Sequence, residues 1–213
     1  MENKQQSLYC FEGSDVLLNL GNFNTQEKLD QYERRVTANA LMSLENKPLY
    51  GTFDAAHLRS LHRFLFEDVY AFAGEFRKEE IAKGSFRFAS VRFLEQSLSY
   101  VLDELKGENH LKGLSVDEFS TRAAYYLAEL NVIHPFREGN GRTQREFIRL
   151  LALQAGYKID WSRVDQDTYM DASIRSVSNF TDLSHVIRQC IVHEKPNKNY
   201  MSFYAEQKDS KIS

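Results

Sequence analysis

The twelve residues His134-Pro135-Phe136-Arg137-Glu138-Gly139-Asn140-Gly141-Arg142-Thr143-Gln144-Arg145 gather groups suited to handling phosphate. His134 carries an imidazole that can take a proton from a hydroxyl near neutral pH. Glu138 supplies a hard oxygen for Mg²⁺, which one carboxylate can hold against phosphate oxygens while waters complete the octahedron. Gly139 and Gly141 flank Asn140 just before a predicted helix. The backbone can therefore turn sharply there and aim its N–H groups at an anion that also feels the helix N-terminus. Arg142 and Arg145, three apart in the first helical turn, point to one side, where both could reach a polyphosphate. Phe136 has no chemistry to offer and reads as the anchor that keeps its neighbours in register.

Each member has an ordinary explanation when taken alone. An Asn-Gly turn joins helices, exposed arginines confer solubility, and a loop glutamate is usually solvated. The conjunction carries the reading, because base, metal ligand, anion nest and two cations follow one another in an order that a single loop and one helical turn can assemble. A zinc site through His134 and Glu138 lacks a third ligand. Phosphate chemistry on a P-loop is excluded, since no Gly-x-x-x-x-Gly-Lys-Ser/Thr occurs, and neither a dinucleotide fingerprint nor a kinase set is present.

The surrounding chain is expected to be all-α, with one short β-hairpin. Three prolines and ten glycines in 213 residues leave long stretches unbroken, several with apolar residues at helical spacing. Thr25 reads as the cap of a helix over 26–43, and further helices are expected over 55–70 and 91–106. Ser115, followed by Asp117 and Glu118, opens a helix whose stripe Phe119, Ala123, Leu127, Leu130 and Val132 ends near His134, where Pro135 stops it. A second central helix spans 142–155 and ends at Gly156. Helices over 166–176 and 182–193 follow. Between Gly74 and Ser90 the pattern alternates, with Phe86 and Phe88 against Ser85 and Arg87, and Lys83-Gly84 makes a turn.

A length of 213 residues suits one domain with terminal extensions, and a formal charge of −3 gives no global attraction to nucleic acid or an anionic membrane. Cys10 and Cys190 have no spacing that implies a disulfide framework or zinc site, so a reducing cytoplasm is the expected location. The polar start Met1-Glu2-Asn3-Lys4-Gln5-Gln6 lacks the apolar stretch of a secretory signal, and no apolar run is long enough to span a bilayer. Export into a host cell by another route is invisible to this test.

The run 134–145 resembles the motif of the Fic family, His-x-Phe-x-Asp/Glu-Gly-Asn-Gly-Arg-x-x-Arg, and meets it at every defined position. Phe66-Glu67-Asp68-Val69-Tyr70-Ala71-Phe72-Ala73-Gly74, the segment 81–89, and Asp160-Trp161 with Tyr169 also look like Fic core elements. The resemblance covers about residues 20–193, leaving 1–19 as an N-terminal extension and 194–213 as a C-terminal tail or inhibitory helix. It implies a Fic-type helical core with a hairpin flap over the active site, and a Mg²⁺-dependent nucleotidyltransferase that moves AMP from ATP to a Ser, Thr or Tyr hydroxyl of a protein. His134 would then be the base and Glu138 the Mg²⁺ ligand. Gly139, Asn140 and Gly141 would hold the α- and β-phosphates, with Arg142 toward the β- and Arg145 toward the γ-phosphate. The flap 81–88 would pin the target protein by strand-like pairing, with Lys83 and Gly84 close to the nucleotide. Related Doc-type proteins, which transfer phosphate, carry Lys in place of the second glycine, so Gly141-Arg142 favours AMP transfer.

Family members are commonly restrained by a helix carrying Ser/Thr-x-x-x-Glu-Gly/Asn, whose glutamate pairs with the second motif arginine. Ser202-Phe203-Tyr204-Ala205-Glu206 resembles it, with Gln207 where Gly or Asn is expected, and Ser7 is one residue too far from Glu12-Gly13 to match. Self-inhibition through Glu206 and Arg145, or a separate small antitoxin protein, are the two solutions the resemblance implies. Tyr200 and Tyr204 are candidate sites of self-modification. Removal of AMP from a modified protein, a catalytically idle interaction module, and a homo-oligomer remain open readings.

Overall fold

A computed structural model of the chain describes residues 6–209. Its elements run in the order α1 Gln26–Asn46, α2 Ala55–Phe66, a hairpin of β1 Ala82–Lys83 and β2 Phe86–Arg87, α3 Leu94–Gly107, α4 Val116–Ile133, α5 Asn140–Ala155, α6 Gln166–Arg175, α7 Thr181–Cys190 and α8 Lys198–Ala205. The expected helical architecture with one hairpin is what forms.

The centre is α5, which packs against α2, α4 and α8, while α7 closes the other side of α4. Phe147, Ile148, Leu150 and Leu151 of α5 are fully buried, and burying each such side chain contributes roughly 1.5–3 kcal/mol. Ser115 caps α4 in a full capping box, its Oγ accepting from Glu118 N–H while the Glu118 carboxylate accepts from Ser115 N–H. Gly156 ends α5 in the left-handed region, φ 91°, as its position predicts.

Several boundaries differ from expectation, among them α7, which ends at Cys190 and not at 193. Thr25 precedes α1 without a side-chain cap bond, and the helix runs on to Asn46. Asp54 caps α2 through His57 N–H at 2.8 Å. That helix stops at Phe66 instead of residue 70, because Val69 and Tyr70 N–H both return to the Phe66 carbonyl and start a turn completed at Gly74, φ 78°. Residues 91–93 form a 3₁₀ turn before α3 begins at Leu94. Finally, α5 starts at Asn140, two residues early, so Gly141 is already helical.

The terminal segments pack on this core. The Ser7 hydroxyl donates to Glu79 at 2.6 Å and Leu20 N–H to the Val69 carbonyl at 2.9 Å, which seats the N-terminal arm beside the foot of the hairpin. Helix α8 lies on α5 through Tyr204, 2% exposed, whose hydroxyl accepts from Gly51 N–H and donates to the Gly51 carbonyl. Tyr204 is therefore a packing residue in this arrangement, its hydroxyl engaged by Gly51. Tyr200 is half-buried, stacked on His193 with ring centroids 5.2 Å apart. Among the described residues, no helix is long and apolar enough to cross a membrane.

Candidate active site

Helix α4 ends at His134, whose φ of 49° puts it in the left-handed region that histidine tolerates better than most residues. The chain then loops through Pro135 and Phe136 and re-enters a helix after Gly139, φ 77°. The loop is pinned from both sides. Phe136, 1% exposed, stacks on His62 of α2 with centroids 3.8 Å apart, confirming its anchoring part. Gly74 N–H donates to His62 Nδ1, so the His62 proton sits on Nε2 and is donated to the Glu138 carbonyl at 2.9 Å.

The imidazole of His134 is held in the form a base requires. Its Nδ1 lies 3.1 Å from the Asn131 carbonyl, which can only accept, so Nδ1 carries the proton and Nε2 keeps its lone pair for the cleft. Burial pushes the group down from 6.5 to about 4; the Asn131 bond opposes this, and Arg77 and Lys83 add to it. The ring stacks on Phe88 of the hairpin at 3.8 Å, and Phe86 meets Phe88 edge-on at 5.3 Å. Phe86 and Phe88 thus belong neither to the core nor to open solvent. They seat the hairpin on the His134 ring.

Glu138 remains half exposed, with one oxygen accepting from Gly139 N–H at 2.9 Å and lying 3.6 Å from Arg142. Among the described residues no cluster of three or more His, Cys, Asp or Glu could hold a metal. A single open carboxylate beside a polyphosphate cleft nonetheless fits Mg²⁺, which keeps waters and takes phosphate oxygens as its other ligands.

The glycine loop is braced from within. Asn140 turns inward, accepting from Phe136 N–H at 2.9 Å and donating to the Phe136 carbonyl at 2.8 Å, so its side chain braces the loop and only its backbone amide remains for an anion. Gly139 alone needs glycine for its conformation, and a Cβ there would lie 2.3 Å from the Phe66 ring. At Gly141 a Cβ would meet the Arg145 guanidinium at an ordinary 3.7 Å.

The two arginines splay apart. Arg142 donates to Glu33 of α1 at 2.7 Å and to Thr37 at 3.3 Å, and its guanidinium lies 4.7 Å from the centroid of the Phe66 ring. Glu33 is held in turn by the Tyr70 hydroxyl. Arg145 instead lies over Tyr169 of α6, 4.9 Å from its centroid. Both line one cleft of about 740 Å³ with His134, Glu138, Lys83 and Arg34. Four cations against one carboxylate make it a place for a polyanion. Trp161 and Tyr169 line it too, whereas Gly84 sits at the hairpin tip outside its lining.

Ser202 and Glu206 are not brought to this cleft. The seating of Tyr204 against Gly51 commits α8 to the C-terminal half of α5, where Met201 approaches Gly156. Among the described residues, Arg145 has no ion pair with Glu206, which is exposed. The pairing that the tail motif implies is therefore absent from this arrangement, because packing places the helix elsewhere.

Sequence reasoning missed Arg34, Glu33, Thr37, His62, Tyr70 and Arg77, which reach the site from α1, α2 and the segment before the hairpin. Glu33 with Thr37, and His62 with Phe66, are four apart and share a helical face, the one signal that could have paired them.

His57, His62 and His134 are all pushed down to about 4, in each case mainly by burial. Between pH 4 and 6.5 the unfolded chain binds more protons than the folded one, so stability is full above 6.5 and falls as pH drops through that window. Each group contributes up to about 3 kcal/mol, and the sum is comparable to the stability of a domain. The melting temperature is expected to fall steeply between pH 6.5 and 4 in a calorimetric series. A flat profile down to pH 4.5 would contradict this assignment.

Comparison with known proteins agrees with the geometry. Residues 52–152 match the model of the Fic/DOC family. The chain is 41% identical over 191 residues to the protein adenylyltransferase VbhT of Bartonella schoenbuchensis, spanning 89% of this chain and 40% of that one. It is 38% identical to "Probable protein adenylyltransferase y4lH" of Sinorhizobium fredii, over 89% of this chain and 98% of that protein. The crystal structure of the N-terminal Fic domain of a VirB-translocated Bep effector from Bartonella quintana, with bound ADP, superposes with a TM-score of 0.83 at 30% identity, over 91% of this chain and 97% of that one.

Proposed function

Since the chain belongs to the Fic/DOC family, we propose that it is a protein adenylyltransferase that moves AMP from ATP to a Ser, Thr or Tyr hydroxyl of a target protein, with Mg²⁺ as cofactor. The observation that carries this is the cationic cleft with a neutral, Nδ1-protonated histidine at one end and the N-terminus of α5 beside it.

The target oxygen attacks the α-phosphorus as the bond to the β-phosphate oxygen breaks. The hydroxyl proton passes to Nε2 of His134, and pyrophosphate leaves. Burial makes the imidazole a weak base, and a polyphosphate bound beside it would stabilise the imidazolium and so raise its pKa. Backbone N–H groups from Asn140 onward, at the start of α5, with Arg142 and Arg145, neutralise charge that builds on the phosphates. Glu138 would hold Mg²⁺, which supplies charge neutralisation across the phosphates. The flap 81–88 would hold the target by strand-like pairing, with Lys83 near the nucleotide.

Restraint of the activity is assigned to a separate small antitoxin protein, supported by the seating of Glu206 away from Arg145. The buried free thiols of Cys10 and Cys190 favour a reducing, cytoplasmic setting.

The direct test supplies Mg²⁺ and ATP labelled at the α- or the γ-phosphate to wild type and Glu138→Gln, with a cell lysate as acceptor. Over the lysate alone, protein should gain α-label only, and Glu138→Gln should lower that gain at least tenfold at millimolar Mg²⁺. A gain of γ-label over the lysate alone would overturn the reading in favour of a kinase. A rate that is unchanged in Glu138→Gln would remove Glu138 from the metal site.

A further inference from the structure

Arg77 carries a fully buried side chain whose three nitrogens are all engaged by backbone carbonyls. Its Nε donates to His134 at 2.9 Å and one terminal nitrogen to Glu79 at 3.0 Å. The other terminal nitrogen donates to Ala89, and to Ile133 at 3.3 Å. Its backbone N–H donates to the Pro135 carbonyl at 2.9 Å. A carboxylate neighbour, Glu80, stands 3.8 Å away with a largely exposed side chain. The charge is thus met mainly by dipoles, including those at the negative end of α4.

Burying a guanidinium this way forfeits hydration that an apolar side chain of equal volume would not have to give up, so stability alone does not explain it. What the contacts join is specific. Glu79 and Ala89 are the two feet of the flap, Ile133 and His134 the end of the helix that presents the base. Ala89 N–H also donates to the Val132 carbonyl at 3.1 Å, and its neighbour Phe88 lies on the His134 ring. Arg77 is not among the residues lining the nucleotide cleft.

We propose that Arg77 is a positioning residue that locks both feet of the flap to the turn carrying His134, so that a hydroxyl held along the flap and Nε2 of His134 share one register. The proposal rests on the AMP-transfer reading for its catalytic consequence, but not for the anchoring itself. Four carbonyls need the fork of a guanidinium; a lysine brings the same charge on one nitrogen and cannot bridge them.

The test uses the full chain with Arg77→Lys and Arg77→Met. Three quantities are measured: stoichiometry and Kd for a non-hydrolysable ATP analogue, incorporation of α-labelled AMP into the chain itself per nucleotide-binding site, and hydrogen exchange across 79–89 and 133–135. Both variants should bind nucleotide within twofold of wild type, incorporate AMP at least tenfold more slowly per site, and exchange at least tenfold faster in those two segments. Unchanged exchange there, a per-site rate within twofold of wild type, or loss of nucleotide binding in step with the rate would each overturn the proposal. If wild type incorporates no AMP, self-modification fails and the exchange data alone decide. Acceleration confined to the two segments supports the anchoring, while uniform or absent acceleration rejects it.

Discussion

Replacing His134 by alanine lowers AMP transfer by about 10²- to 10⁴-fold, the usual range for removing a general base, while nucleotide affinity stays within a few-fold of wild type. The phosphate-binding groups explain the separation. They are the amides at the start of α5 and the guanidiniums of Arg142 and Arg145, none of which depends on the imidazole. One confounding effect needs a control, since His134 occupies a left-handed conformation that alanine adopts at a cost of roughly 1–2 kcal/mol. His134→Asn separates the two effects, because asparagine tolerates that region yet offers no base. Both variants should lose transfer alike, with the asparagine variant melting closer to wild type. Retained transfer in His134→Asn would remove the histidine from the proton path.

Gly139→Ala and Gly141→Ala should fail in opposite ways although they stand two residues apart. At Gly139 the methyl meets backbone of φ 77° and the Phe66 ring at 2.3 Å. Left-handed strain and overpacking each cost about 1–3 kcal/mol, so a fall in melting temperature of many degrees accompanies loss of nucleotide binding. At Gly141 the backbone is helical and the nearest atom is the Arg145 guanidinium at 3.7 Å. Alanine is favoured over glycine within a helix, so this variant should melt at or above the wild-type temperature. Its methyl, however, stands on the side where phosphate must meet Arg145, and nucleotide affinity should drop at least tenfold. Titration calorimetry and thermal melts on both proteins check the pair. Equal melting temperatures for the two would contradict the difference in backbone geometry.

Much of the site could be read in the sequence because its parts are local. The candidate base His134, the carboxylate of Glu138, the glycine loop and the arginines occupy one helix end, one turn and the next helix start, so spacing along the chain maps onto proximity in space. Helix periodicity was legible for the same reason, since α4 and α5 each bury a face recurring at helical spacing. Where neighbours distant in sequence intervene, the reading changed. Asn140 was expected to help hold phosphate, and its side chain closes the loop onto Phe136, which leaves its backbone amide for that part. Arg142 was expected to point with Arg145, but Glu33, 109 residues earlier, draws it toward α1. The tail motif Ser202 to Glu206 satisfies a pattern that occurs easily, yet the aromatic seat of Tyr204 governs where the helix lies.

The sequence by itself determined the chemistry available to this protein: which groups can take a proton, hold a cation and neutralise phosphate, in an order that one turn assembles. Tertiary structure decided how those groups are held. It set the tautomer of His134 through the Asn131 carbonyl and its depressed pKa through burial beneath Phe88. It turned Arg142 to one flank and Arg145 to the other, and tied the foot of the hairpin to the His134 turn through Arg77. The physical reason is that residue type fixes what a group can do, whereas its protonation, direction and partners follow from desolvation and contacts made by segments far away along the chain.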